Sequence, residues 1–159
     1  MDPAIRIIHA APADVPRIAP LLDAYRVFYG RASDPAAAAA FLGERLARGE
    51  SAAYLAVAHE PQTRWDDAAG FVQLYPSFTT VGLGPTWVVN DLFVTPEWRG
   101  KGVGRALLEA AEEHGRRNGA VMLSLLTARD NAAARRLYGA AGWTLDESYA
   151  RYTRKLGTA

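Results

Sequence analysis

The chain has 159 residues, half of them hydrophobic and 22% charged, with a net charge of +1; this describes one ordinary domain, residues 1–159, and argues against disorder. Near-neutral charge excludes nucleic acid or an anionic membrane as an obligate partner, so any anion must be caught by a local cluster. Cysteine is absent, which excludes a disulfide framework, a thiolate metal site and a cysteine nucleophile; the start, MDPAIRIIHA, lacks a signal-peptide pattern and no apolar run nears the roughly 20 residues of a membrane span, so the expected compartment is the cytoplasm.

In chain order, Ile5, Ile7 and His9 alternate with Arg6 and Ile8 as a first strand. From Asp14 to Tyr29, Val15, Ile18, Leu22, Tyr25 and Tyr29 recur at helical spacing. Asp34-Pro35 reads as a cap and first-turn proline, opening a helix over about Ala36 to Arg48. Ala53 to Ala58 is a short apolar strand, PQTRWDD a hairpin loop, and Gly70 to Tyr75 the next strand. Beyond Gly82, Gly84 and Pro85, Trp87 to Val94 is the longest strand. A glycine-rich turn then leads into a helix from Gly102 to about Asn118, stopped by Asn118-Gly119. Val121 to Leu126 is almost wholly apolar and suits a buried, partly parallel position. Asp130 is placed to cap a last helix ending near Ala141-Gly142, and Trp143 to Leu156 is expected to supply one or two closing strands. Strands come first as a meander and later alternate with helices, so the expected fold is a mixed α/β (α+β) sheet.

The chemistry concentrates in LFVTPEWRGKGVGRALLEAA, Leu92 to Ala111. A helix N-terminus offers unpaired N–H groups and the positive end of its dipole, which suits phosphate. Glycines let a ligand approach the backbone, and Arg99, Lys101 and Arg105 add positive charge. A P-loop would need Ser or Thr after the lysine and glycine where Thr95 stands, but Gly102 follows Lys101. A dinucleotide fingerprint fails as well, because its last glycine would fall on Leu107 or Arg105. What fits is Arg-x-x-Gly-x-Gly over Arg99, Gly100, Lys101, Gly102, Val103 and Gly104.

That pattern, the preceding NDLFV, and the later ARDNAAARRLYGAAGW together make the chain resemble the GNAT superfamily of N-acetyltransferases, nearest to its diamine and polyamine acetyltransferase branch. The resemblance runs from about Ala53 to Leu156 and is weaker over the first two helices. It implies a mostly antiparallel central sheet with helices on both faces and a splayed parallel strand pair. It also implies acetyl-CoA as cosubstrate, with no metal, and a homodimer. Backbone groups of Leu92, Phe93 and Val94 would pair with the pantetheine arm, and one N–H would polarise the thioester carbonyl. The N–H groups from Arg99 to Gly104 would wrap the pyrophosphate, while Asn131 would bond the pantetheine amides and also cap its helix.

Tyr138, in the Leu-Tyr pair, would be the general acid, since the phenol and the departing thiol have neighbouring reference pKa values of ~10 and ~8.5. The base stays open. Asn90 stands where this branch usually has glutamate, leaving Asp91, Glu97, or water held by Asn90 and Tyr75. Asp91, next in the strand, would face the other side unless a bulge turns it. On the acceptor side, Tyr25, Tyr29, Tyr75 and Trp87, with Asn90, are the expected contacts for a primary amine, a small molecule or a lysine side chain. An aromatic lining can hold an ammonium group, although each of these residues also suits a core. Sparse acidic residues leave the amine unnamed, and His9, His59 and His114 lack metal spacing. Asn90 also motivates an alternative, a non-catalytic acyl-CoA-binding sensor or subunit on the same fold.

Overall fold

The computed structural model describes residues 4–59 and 66–157. The chain divides after Leu126 into two compact units.

The first unit opens with β1 (Ala4–His9), a short 3-10 turn (Pro12–Asp14) and α1 (Val15–Phe28). The Asp14 carboxylate accepts the Ala11 N–H at 2.9 Å and fixes the entry to α1. Asp34 caps α2 (Pro35–Ala47) as expected, accepting the Ala37 N–H at 3.0 Å. The connection between these helices is held from inside: buried Asp23 accepts the Ser33 hydroxyl at 2.6 Å and the Asp34 N–H at 2.7 Å. These bonds, with the nearby Arg26 guanidinium, hold its carboxyl below the ordinary range.

Next come β2 (Ala52–His59), β3 (Asp66–Thr79) and β4 (Gly84–Val94), then α3 (Val103–Arg117) and β5 (Met122–Leu125). Strand order is β1-β2-β3-β4-β5, antiparallel except for the parallel β4–β5 pair. This is the expected mixed, mostly antiparallel sheet. β3 is longer at both ends than the span Gly70 to Tyr75. Of the expected PQTRWDD loop, only Asp66 and Asp67 are described, and they begin β3; the rest lies outside the described residues.

Helices cover both faces. Ile18, Leu21, Leu22, Ala38 and Leu42 of α1 and α2 join Ala53, Leu55, Phe71 and Phe93 of the sheet in one core. On the other face α3 contributes the buried Val103, Leu107, Leu108 and Ala111. Gly70 marks the closeness of that packing, since a Cβ there would lie 3.2 Å from a Leu107 methyl and 2.5 Å from the Phe93 carbonyl oxygen.

The second unit holds α4 (Ala132–Ala140). Its cap is Asn131, whose Oδ1 accepts the Ala134 N–H at 3.1 Å, rather than the expected Asp130. Asn131 Oδ1 already satisfies a first-turn N–H, the task a cap performs. The closing strands expected over Trp143 to Leu156 do not form: residues 143–157 carry no strand. A strand exists only through a paired ladder; here Asp146 accepts the Ser148 N–H at 2.8 Å, a local turn bond that bends the backbone instead. Among the described residues no helix is long and apolar enough to cross a membrane.

Candidate functional site

The glycine turn is open on its ligand side. Gly100 and Gly102 have φ of +74° and +81°, a left-handed backbone that L side chains avoid, and a Cβ on either would meet nothing within 4 Å. Gly102 is the N-cap of α3 and provides no side-chain cap bond. Its carbonyl accepts the Ala106 N–H at 3.0 Å, so the helix is wound from its first turn. The N–H groups of Val103, Gly104 and Arg105 are then first-turn donors without a helical acceptor. Val103 itself is buried and anchors the turn. The cations around it are tethered. Lys101 Nζ lies 4.6 Å above the Trp98 ring, Arg105 pairs with Glu109 at 2.9 Å, and the Arg99 guanidinium lies 5.8 Å over the Phe93 ring.

The strand before the turn has an unclaimed edge. The β4–β5 ladder runs from Thr86↔Met122 to Val89↔Leu125 and stops, so Asn90–Val94 have no β5 partner. On the β3 side, the Thr95 N–H donates to the Ala69 carbonyl at 3.0 Å, and Val94 sits opposite Gly70. Antiparallel pairs alternate between bonded and non-bonded. The main-chain groups of Phe93 and Asp91 therefore face β3, and those of Leu92 and Val94 face the edge that β5 has left. Arg99 Nε occupies one of these edge groups, donating to the Val94 carbonyl at 3.0 Å.

A bulge separates the two stretches of β4. Gln73 pairs with Asp91 but Leu74 pairs with Val89, which leaves Asn90 as the extra residue. Cross-strand partners share a face. Asp91 therefore turns to the α1–α2 face with Gln73, and Val89 turns to the α3 face with Leu74. Asn90 is exposed and Asp91 is 6% exposed, yet the two touch: Asn90 Nδ2 donates to Asp91 Oδ1 at 3.1 Å.

Asp91 ends a buried polar chain. Gln73 Nε2 donates to Asp91 Oδ2 and to the Tyr75 hydroxyl oxygen, both at 2.9 Å, and Ser51 Oγ donates to Gln73 Oε1 at 3.3 Å. The Tyr25 hydroxyl donates to the Asn90 carbonyl at 3.3 Å. Burial raises the Asp91 carboxyl above the ordinary carboxylate value, and hydrogen bonds from Gln73, Asn90 and Tyr25 partly offset it. Burial, then the charge of Asp91, pushes Tyr75 up to about 12.

The structure thus gathers Tyr25, Tyr75, Asn90 and Asp91. Tyr29 joins them at the edge, its ring 4.9 Å from Tyr25. Trp87 does not: it pairs with Pro76, on the α3 face, and packs edge-on against His114 at 4.3 Å. Glu97 is exposed in the Pro96–Trp98 turn, where it lines a surface depression with Asp67, Thr95 and Lys101. In the second unit, Tyr138 lies on the half-buried face of α4 with Asn131, Ala134, Leu137 and Ala141, its ring 6.2 Å from Trp143. Among the described residues no group of His, Asp or Glu side chains could hold a metal. Sequence reasoning passed over Gln73. Its one signal was a carboxamide in the apolar run GFVQLY, on the same side as Phe71 and Tyr75.

The profile of the Acetyltransferase (GNAT) family matches residues 18–143. An uncharacterized N-acetyltransferase of Bacillus subtilis (strain 168), YhfO, is 40% identical over 148 residues, covering 93% of this chain and 95% of that protein. A crystal structure described as a probable acetyltransferase superposes with a TM-score of 0.87 at 36% identity, covering 97% of this chain and 99% of its own. The aminoglycoside N-acetyltransferase AAC(6')-Iy, solved with CoA, shares the fold at a TM-score of 0.77 and 19% identity, over 98% and 97% of the two chains.

Proposed function

The chain belongs to the Acetyltransferase (GNAT) family and is an acetyl-CoA-dependent N-acetyltransferase, and from that premise we propose that it acetylates a primary amine, a small molecule or a lysine side chain, with Asp91 as the base. The observation that carries this reading is the bulge at Asn90. It turns a buried carboxylate toward the aromatic α1 face and leaves the Leu92 and Val94 main-chain groups free of β5.

The residues present suit the cosubstrate. Leu92 and Val94 offer the hydrogen bonds of a missing strand to the pantetheine arm, whereas Phe93, expected beside them, turns its main-chain groups to β3. The stretch Arg99, Gly100, Lys101, Gly102, Val103 and Gly104 offers uncapped N–H groups, with no Cβ neighbour around Gly100 and Gly102, to a pyrophosphate. Asn131 remains the proposed partner of the pantetheine amides. When bound, acetyl-CoA supplies the activated acyl thioester.

An amine with pKa ~10.4 is neutral in only about one molecule in 10³ at pH 7, a deficit of roughly 4–5 kcal/mol. Asp91 takes that proton, and its burial makes it a stronger base than an exposed carboxylate. Tyr25 and Tyr29 hold the ammonium group beforehand, and Asn90 and Tyr75 orient it. The amine nitrogen bonds to the acetyl carbon and loses its second proton to solvent, the carbon–sulfur bond breaks, and Tyr138 gives its proton to the leaving thiolate and regains one from solvent, to which Asp91 also releases the first. A cytoplasmic homodimer, with residues 1–159 acting as one domain, is part of the same proposal. The test is release of free CoA thiol from acetyl-CoA across a broad amine panel. Bound acetyl-CoA with no release on any amine would sink it.

A further inference from the structure

We propose that Gln73 is a positioning residue for the acceptor amine, because its single carboxamide nitrogen holds both Asp91 Oδ2 and the Tyr75 hydroxyl. The inference rests on the reading of Asp91 as the base. Gln73 is fully buried in β3, in the bulge pair that turns Asp91 to its face. Both hydrogens of Nε2 are spent, one on Asp91 Oδ2 and one on Tyr75 Oη, each at 2.9 Å. Its Oε1 accepts from Ser51 Oγ at 3.3 Å, which sets which way the amide points.

Two consequences follow from donor and acceptor chemistry. Asp91 Oδ2 receives a neutral donor rather than a cation, so the carboxylate is oriented while giving up only part of the basicity that burial confers. Tyr75 Oη receives a hydrogen from Gln73, so its own hydrogen points away from Gln73. One rigid amide thus presents a proton acceptor and a hydroxyl donor side by side to whatever enters from α1. Other groups around this pair are Tyr25 from α1 and Asn90 from the bulge, with Arg45 of α2 acting on Tyr75 by charge.

Gln73→Met keeps the length of the side chain and removes both donors. Without its donor the Asp91 carboxylate is harder to ionise, so the acid limb of kcat/KM for the amine moves to higher pH by about one unit. The rate below the limb then falls about 10-fold and recovers at alkaline pH, while KM for acetyl-CoA is unchanged. Uniformly lower rates with an unmoved limb overturn the proposal, since that is what a mere core filler would do. Titration of the Asp91 carboxylate by carbon NMR in both proteins needs no turnover and is expected to move the same way; an unmoved titration also overturns it. If wild type turns over no amine, the acetyl-transfer reading fails, and the titration still decides the role of Gln73. Should Gln73→Met not fold, Ser51→Ala, which removes the hydrogen bond to Gln73 Oε1 and frees the amide to turn away from Asp91, carries the same test in the same direction.

Discussion

The Tyr25 hydroxyl donates to the Asn90 carbonyl at 3.3 Å, a bond that joins α1 to the bulge of β4 across 65 positions of sequence. Tyr25 also packs edge-on against Phe71 and Phe93, each 6.4 Å away, so one side chain braces both the core and the bulge. Tyr25→Phe keeps the ring packing and deletes the bond. A stability loss of about 1 kcal/mol is expected, with a rise in KM for the amine and little change in KM for acetyl-CoA. Denaturant unfolding and two-substrate kinetics read both; equal rises in both KM values would mean that Tyr25 does not serve the acceptor side.

Asp91 must be ionised to take a proton. Because burial raises its carboxyl above the ordinary value, the acid limb of kcat/KM is expected above the pH at which an exposed carboxylate titrates. Asp91→Asn removes the limb and lowers kcat by about 10²–10⁴, the usual worth of a general base. A pH–rate profile of both proteins checks it, and a limb that survives in the variant transfers the role to another group.

Replacing Tyr138 with Phe separates an enzyme from a sensor on the same fold. The expected result is a lower kcat with unchanged acetyl-CoA affinity by calorimetry. An unaltered kcat removes the phenol from the mechanism.

Glycines in this chain matter for two distinct reasons. Gly102→Ala places a side chain at φ +81° in open space and should cost about 1–2 kcal/mol from the left-handed backbone alone. Gly70→Ala sets a Cβ 2.5 Å from the Phe93 carbonyl oxygen in the middle of the sheet. That strain should cost ~3 kcal/mol, the top of the usual overpacking range, and Thr95 and the turn beyond would shift with it. Unfolding curves rank the two variants, and the reverse order would contradict this account.

His114 makes stability depend on pH. His114 is 9% exposed, its Nδ1 meets the Tyr54 hydroxyl at 2.9 Å, and its Nε2 has no hydrogen-bond partner among the described residues. Burial, and then the charge of His9, lowers its pKa below the ordinary histidine value of 6.5. In the window just below that value the unfolded chain binds more protons than the folded one, so stability rises with pH there. The contribution is complete above the unfolded pKa and is lost as pH falls through the lowered, folded one. Melting temperature should drop across that window in wild type and flatten in His114→Phe. An identical slope in both would assign the dependence to another group.

Local chemistry was readable from the sequence because it acts within a few residues. Asp34-Pro35 starts α2, Gly100 and Gly102 take the left-handed backbone of the turn, and Leu137 with Tyr138 marks the half-buried face of α4. The spacing Arg99-x-x-Gly102-x-Gly104 excluded the competing phosphate loops and carried the family resemblance. Each is set by the torsions, caps or 3.6-residue period of a single segment.

The acceptor site depended on register between segments, which one strand read alone does not contain. The pairing of β3 with β4 places an extra residue at Asn90, and that single step turns Asp91 to the face of Gln73, Tyr75 and Tyr25. The same pairing sends Trp87 to the α3 face against His114. Sequence by itself determined the family, the glycine turn and the helices. Tertiary structure alone decided which side each strand residue faces, because a one-residue slip in a ladder reverses the direction of every side chain beyond it.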